Sequence, residues 1–405
     1  MPPTATPHTP AERLHALDNL RAVMMWLGIV LHVVMNYTVQ PMPVPWHDVT
    51  TSQGADIVVG TIHAFRMPTF FIVAGFFVAL LLQTRGAHGM LKNRVLRLGA
   101  PFAVLWPVLY VLTGVCALLF VHRVARGTWG VDETLMTPVP GHPKFNTLHL
   151  WFIWMLLWMC VATYALVPLA QRLPMLWRKR LGRAFARCAS STFGLAALAL
   201  PLALLGLGYQ GGFLTAGGSF LPPLAEWLHN GLFYTFGLAL YHQRAALLAL
   251  YQRRWVLHVA LGWVAITLSG VLLRVQYDNP GAIAHFEFYC GLVYNLCTWF
   301  WSVGIIGLFT RHVQRSNAVL RYLSQASYWV YLIHLPLTIA FGALLFGEPL
   351  SVLAKSAINI TATSVIALLS YHLLVRSTWL GDLLNGRRYP FTLPGMRLAG
   401  TRTAS

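Results

Sequence analysis

The chain has 405 residues, of which 57% are apolar and only 10% charged, and that leaves too little polar surface for a soluble domain of this length. Its formal charge of +18 would suit nucleic acid, but the basic residues lie between apolar runs, on no single amphipathic face and in no nucleic-acid motif, so that partner is excluded. The five cysteines, Cys116, Cys160, Cys188, Cys290 and Cys297, form no CxxC pair, which points to neither a disulfide framework nor a zinc site, and no metal is expected.

Residues 1–18 read as a polar tail rich in Pro and Thr. The apolar run behind it lacks a small-residue cleavage site, as in an uncleaved signal anchor. Apolar runs of about 20 residues, the length that crosses roughly 30 Å of hydrocarbon, then recur almost to the end. Helices are predicted over 19–38, 55–83, 98–121, 147–171, 190–208, 225–242, 254–274, 283–310, 324–346 and 350–374. The expected fold is an all-α polytopic membrane protein of about ten spans, with one transmembrane domain over 19–375 and a tail over 376–405.

With the N-terminus placed in the cytoplasm, 23 of the 29 Lys and Arg residues fall on that side. They include Arg13, Arg21, Arg85, Lys92, Arg94, Arg97, Arg315, Arg397 and Arg402. Arg123, Arg126, Lys144, Arg274 and Lys355 fall on the other side, and Arg66 lies within the second helix. The positive-inside bias therefore predicts that both termini are cytoplasmic. The opposite loops differ in character: 39–54 is rich in Pro and Trp, 122–146 carries Trp129, Asp132, Glu133 and His142, and 209–224 is Gly-rich and uncharged. They either shape an acceptor site or simply connect helices. No internal repeat is visible, which argues against a transporter built from two similar halves.

An ionisable group inside a span is costly and normally faces a cavity or a partner. In LDNLRAVMMWLGIVLHVVMNY, Arg21 and His32 are eleven residues apart, which puts them on one helical face about 16 Å apart along the axis. The plain reading makes Arg21 a snorkelling anchor and His32 a helix-to-helix hydrogen-bonding group. The second helix changes the balance, because IHAFRMPTFFIVAGFF sets His63 and Arg66 on one face at a similar depth, ahead of Pro68, which frees the carbonyl of Ala64. Arg66 either satisfies such carbonyls or steadies an anion or oxyanion. A neutral histidine beside it can take a proton from a hydroxyl at neutral pH.

In RGAHGMLKNRVLRLGAPF, Lys92, Arg94 and Arg97 precede the third helix. They serve topology, or they bind a phosphorylated donor such as coenzyme A. His149 and Trp151 in LHLWFIW and His334 in SYWVYLIHLPL line the site or belt the interface. Asp18 and Asp56 read as caps of the first and second helices. Glu226, and Glu287 beside His285, read as acidic groups opening helices. HExxH, GxSxG, P-loop and strand-linked GxGxxG signatures are lacking, so zinc hydrolysis, a nucleophile elbow and nucleotide hydrolysis have no support.

At these residues the sequence resembles the membrane acyltransferase-3 family. The resemblance rests on LDNLRAVMMWLGIVLH, FRMPTFFIVAGFF, RVLR, HLWFIW and YWVYLIHLP, which run in order over about residues 13–375. The wording HALDNLRA, FRMPTFFIVAGFFVALLL and KNRVLRLGAPF looks most like the branch that succinylates osmoregulated periplasmic glucans. The resemblance implies a multi-pass enzyme of the bacterial inner membrane, with acyl-CoA as co-substrate (succinyl-CoA, or alternatively acetyl-CoA) and a periplasmic glucan or another glycan as acceptor. It implies His32 as the catalytic histidine, Arg21 as its partner, and Arg94 and Arg97 as the loop arginines that handle acyl-CoA. Lys92 joins those arginines, and His63 and Arg66 are assigned to acyl or oxyanion positioning. The lipid bilayer is the remaining expected partner, and a homodimer stays open. The rival readings are O-acetylation of a lipopolysaccharide or exopolysaccharide and, in another class, a transporter or channel with an intramembrane His/Arg site.

Overall fold

The computed structural model describes residues 10–40, 42, 44–136, 143–314 and 317–391. His142, Arg315, Arg397 and Arg402 lie outside the described residues, as does the side chain of Arg13. The helices in chain order are α1 (Pro10–Val34), α2 (Gln53–Arg94), α3 (Ala100–Arg126), α4 (Trp151–Arg172), α5 (Met175–Ser190), α6 (Thr192–Ala197) and α7 (Ala199–Gly206). After them come α8 (Leu224–His242), α9 (Arg244–Asp278), α10 (Phe286–His312), α11 (Ala318–Leu345), α12 (Val352–Ser370) and α13 (Trp379–Asn385). No strand occurs among the described residues, as a bilayer demands of a chain that must satisfy its own backbone in each span.

Seven helical stretches among the described residues are long and apolar enough to cross a membrane, or eight if the pair bent by 100° after Ser190 forms one broken span. The expected number was ten, and the difference has local causes. Residues 53–126 form one helical run of 74 residues, kinked at Gly86 and longer than one crossing requires. Two of the expected helices merge in it, because a five-residue π-turn at Val95–Gly99 carries α2 into α3 without a loop. The run expected over 190–208 is broken into the short helices α6 and α7. The helix expected over 225–242 forms as α8, which is not among the seven stretches.

Two expected caps are replaced. Helix α1 starts at Pro10, so Asp18 lies inside it and pairs with Arg21 at 3.0 Å. Ser52 caps α2 by accepting from the Gly54 amide, while the Asp56 carboxylate accepts from the amides of Val39 and Gln40 and ties down the incoming loop.

Helix α1 packs against α2 and α11, α2 runs along α8 and meets α10 and α4, and α9 lies along α10. The outward faces of α3, α9 and α12 present Val108, Val111, Val264 and Leu353. That pattern suits lipid, since such a surface would drive association in water. The polar side chains described next lie where α1, α2, α4 and α11 converge.

Candidate active site

Proline sets the geometry of α11. Pro336 has no N–H, so the carbonyl of Leu332 one turn earlier has no helical donor. His149, in the short 3-10 turn that leads into α4, supplies one: its Nε2 donates to the carbonyls of Leu332 at 3.0 Å and Tyr331 at 3.1 Å. The Tyr331 hydroxyl donates back to the His149 carbonyl at 2.6 Å. This reciprocal clamp fixes α4 to α11 and orients both rings.

The Tyr331 carbonyl holds a second imidazole. His334 is fully buried and its Nδ1 lies 2.7 Å from that oxygen. A carbonyl only accepts, so Nδ1 carries the proton and a neutral His334 has its lone pair on Nε2. Nε2 is buried and has no partner within the protein. The His334 ring centroid is 5.2 Å from that of His32 on α1 and 5.0 Å from that of His149.

Arg66 closes the group from α2. It is 5% exposed, and its Nε donates to the Met24 carbonyl on α1 at 3.0 Å. The sequence left it to satisfy carbonyls or an anion; one N–H does the first and the rest of the guanidinium extends past α1. Gly28, one turn before His32, makes room for it. A Cβ there would lie 2.7 Å from an Arg66 terminal nitrogen and 3.3 Å from His334 Nε2. A donor and a bare imidazole nitrogen thus meet in the gap that the absent side chain of Gly28 leaves, one turn from His32. Arg66 is an electrostatic neighbour of His32, His63, His149 and His334, and His63 is one of His32. His32 and His63 both keep accessible surface within the helix packing, His63 more so because its ring opens into a cavity. Among the described residues no three His, Cys, Asp or Glu side chains converge as metal ligands.

The second group lies at the other end of α1. Arg21 bonds Asp18 and sits over the Phe77 ring, with its guanidinium carbon 5.4 Å from the centroid. Arg94 neighbours Arg21, Cys160, Tyr234 and Tyr328, and its buried Nε has no partner. Arg97 donates to the carbonyls of Asp382 and Leu383 at 2.8 and 3.3 Å, capping the C-terminal end of α13, while its own carbonyl accepts from Tyr328. Lys92 is exposed. The structure therefore gathers Arg21, Arg94 and Arg97 around Tyr328 and leaves Lys92 on the rim.

A family model described as an acyltransferase domain, that of acyltransferase-3, matches residues 14–375. The chain belongs to the acyltransferase-3 family. Among curated proteins this acyltransferase is similar to the glucans biosynthesis protein C of Salmonella agona strain SL483 and of Salmonella paratyphi A strain ATCC 9150 / SARB42. Each is 26% identical over 398 residues, covering 93% of this chain and 96% of the relative. The glucans biosynthesis protein C of Salmonella heidelberg strain SL476 matches to the same extent. No solved structure matches the chain.

Three features of this multi-pass membrane acyltransferase escaped the sequence reading. Lys355, counted in the sequence among the charges of the non-cytoplasmic side, is 0% exposed on α12 and its Nζ lies 2.9 Å from both carboxylate oxygens of Asp48, itself 1% exposed. Gly28 carried a signal, since it shares the His32 face one turn away. His229 and Asn295, polar residues in apolar helices, carried the same kind of signal as His149.

Proposed function

We propose that this acyltransferase carries an acyl group, succinyl in preference to acetyl, from acyl-CoA on the cytoplasmic side to a hydroxyl of a glucan on the periplasmic side. The observation that carries this reading is the convergence at Gly28 of the Arg66 guanidinium and the unpaired Nε2 of His334, whose ring lies 5.2 Å from that of His32. Such a site provides what acyl transfer needs: a proton acceptor, and an N–H donor where negative charge develops on the thioester oxygen. The similarity to glucans biosynthesis protein C supports a glucan acceptor, and the Arg21, Arg94 and Arg97 group suits donor phosphates.

Two routes fit the chemistry. In the first, His32 takes the proton of the glucan hydroxyl as its oxygen attacks the thioester carbon. Arg66 holds the resulting oxyanion, and collapse expels the CoA thiolate, which receives the proton from His32. In the second, a neutral His32 nitrogen attacks the thioester and CoA leaves as the thiol, taking the proton of the other ring nitrogen; the glucan hydroxyl then displaces the histidine from the acyl group, and its proton returns to that ring nitrogen. Rapid quenching after mixing with acyl-CoA alone separates the two, because only the second leaves acyl label on the protein.

The deciding experiment measures CoA release by the purified full chain with a glucan acceptor. His32→Ala is expected to abolish it while the protein elutes and melts as the parent does. Full turnover by His32→Ala would overturn the assignment. Mass spectrometry of the modified glycan distinguishes succinyl from acetyl transfer.

A further inference from the structure

Beside His63 the interior opens into a space distinct from the gap at Gly28. A cavity of about 50 Å³ lies between α2, α4, α8 and α10, lined by His63, Trp151, His229, Tyr294, Asn295 and Thr298 among others. Leu214 and Ala216 of the Gly-rich connection before α8 close one side of it. At the roughly 10–15 Å³ that one water needs on this measure, it holds a few waters or a hydroxyl-bearing part of a small ligand.

Its lining has a definite chemistry. None of the side chains around it is acidic, and none is Lys or Arg, so a phosphate, carboxylate or ammonium group would find no counter-charge. What it offers is unused hydrogen-bonding capacity. Asn295 is 2% exposed, and its amide nitrogen is committed to the Gly291 carbonyl at 2.8 Å, yet its Oδ1 is buried without a partner. His229 Nδ1 is likewise buried without a well-formed hydrogen bond, its ring lying beside the side chains of Asn230 and Asn295. Native interiors rarely leave such atoms unsatisfied, and a bound hydroxyl satisfies them. Trp151 and Tyr294 add ring surfaces suited to the C–H faces of a sugar. His63 belongs to both spaces: its ring opens here, and it is an electrostatic neighbour of His32.

We infer that this cavity is the subsite for the acceptor, taking an uncharged, hydroxyl-bearing ligand of the sugar class and presenting its hydroxyl beside His63. The inference rests on the transfer reaction proposed above and adds where the acceptor binds and which side chains choose it. A second hydroxyl, not the one that reacts, donates to Asn295 Oδ1 or His229 Nδ1, and the remainder of the sugar extends toward the segment carrying Leu214 and Ala216.

The test uses the full chain in lipid nanodiscs with a neutral glucan oligosaccharide. Asn295→Leu keeps similar volume and removes the acceptor oxygen. It is expected to raise the acceptor KM at least tenfold while the acyl-CoA KM stays within twofold. An unchanged acceptor KM in a folded Asn295→Leu protein overturns the subsite. Should Asn295→Leu fail to fold, Ala216→Phe, placed on the connecting segment, fills the cavity from its edge and carries the same expectation. Saturation-transfer NMR with the oligosaccharide alone separates this inference from the reaction it rests on. Binding lost in the variant, in a protein that never turns over, leaves the subsite standing and removes the proposed reaction. Turnover with unaltered acceptor kinetics in both variants does the reverse. Neither binding nor turnover in the parent removes both.

Discussion

At the scale of single residues, the site depends as much on an absent side chain as on those present. Gly28→Ala introduces a Cβ 2.7 Å from an Arg66 nitrogen, closer than real Cβ contacts, so the guanidinium must withdraw from the gap. Losing one preorganised donor to an oxyanion typically costs on the order of 10²–10³ in kcat. Gly28→Ala is therefore expected to lower kcat about 10²-fold with little change in melting temperature, and unaltered turnover kinetics would show that the gap is not where the chemistry occurs. His32 was legible in the sequence as a costly polar residue in a span, and Arg66 likewise. His334 was legible only as a residue that lines the site or belts the interface, because its neighbour His32 is on α1, at the far end of the chain. No local pattern reports that α1 and α11 touch, nor that His149 meets the carbonyl that Pro336 leaves free.

At the scale of elements, the loop after α1 is held by charge. Asp48 and Lys355 are both almost fully buried and the ammonium is shared between two oxygens at 2.9 Å; the Asp48 amide donates to the Asn36 carbonyl. Removing one partner of a buried pair leaves the other charge uncompensated and costs about 3–5 kcal/mol, while replacing both with apolar groups of similar size is often neutral. Lys355→Met is expected to destabilise the purified protein by that amount in thermal unfolding, and Asp48→Leu combined with Lys355→Met to recover most of it. If the single and double variants melt alike, the pair does not hold the loop. In sequence Lys355 stood among the few basic residues assigned to the less positive side, and a counting rule cannot tell a charge in solvent from one buried against a distant loop. The helices themselves were well marked by apolar periodicity. Their ends were less so, since the π-turn after Arg94 replaced an expected break and the break at Leu198 divided an expected helix.

At the scale of the whole molecule, charge distribution predicts which end faces the cytoplasm. In a cysteine-free background, Lys92→Cys is expected to react with an impermeant maleimide only in inverted vesicles, and Val131→Cys only in intact spheroplasts. The opposite pattern would invert the proposed route from donor to acceptor. Family membership was legible because five short motifs keep their order along the chain, and the model matching residues 14–375 spans the same stretch. The two polar centres they mark are joined by one element. Helix α2 bears Arg66 at the histidine cluster and Arg94 at the arginine group, and its course between them is kinked. Between them, Gly86 adopts φ 69° and ψ 177°, a conformation that side chains resist, and no atoms crowd it. The kink falls nearer the arginine end. The arm before it is pinned to α1 through the Met24 carbonyl, and the arm after it sets Arg94 beside Arg21, so a single break lets one helix serve both polar centres of α1.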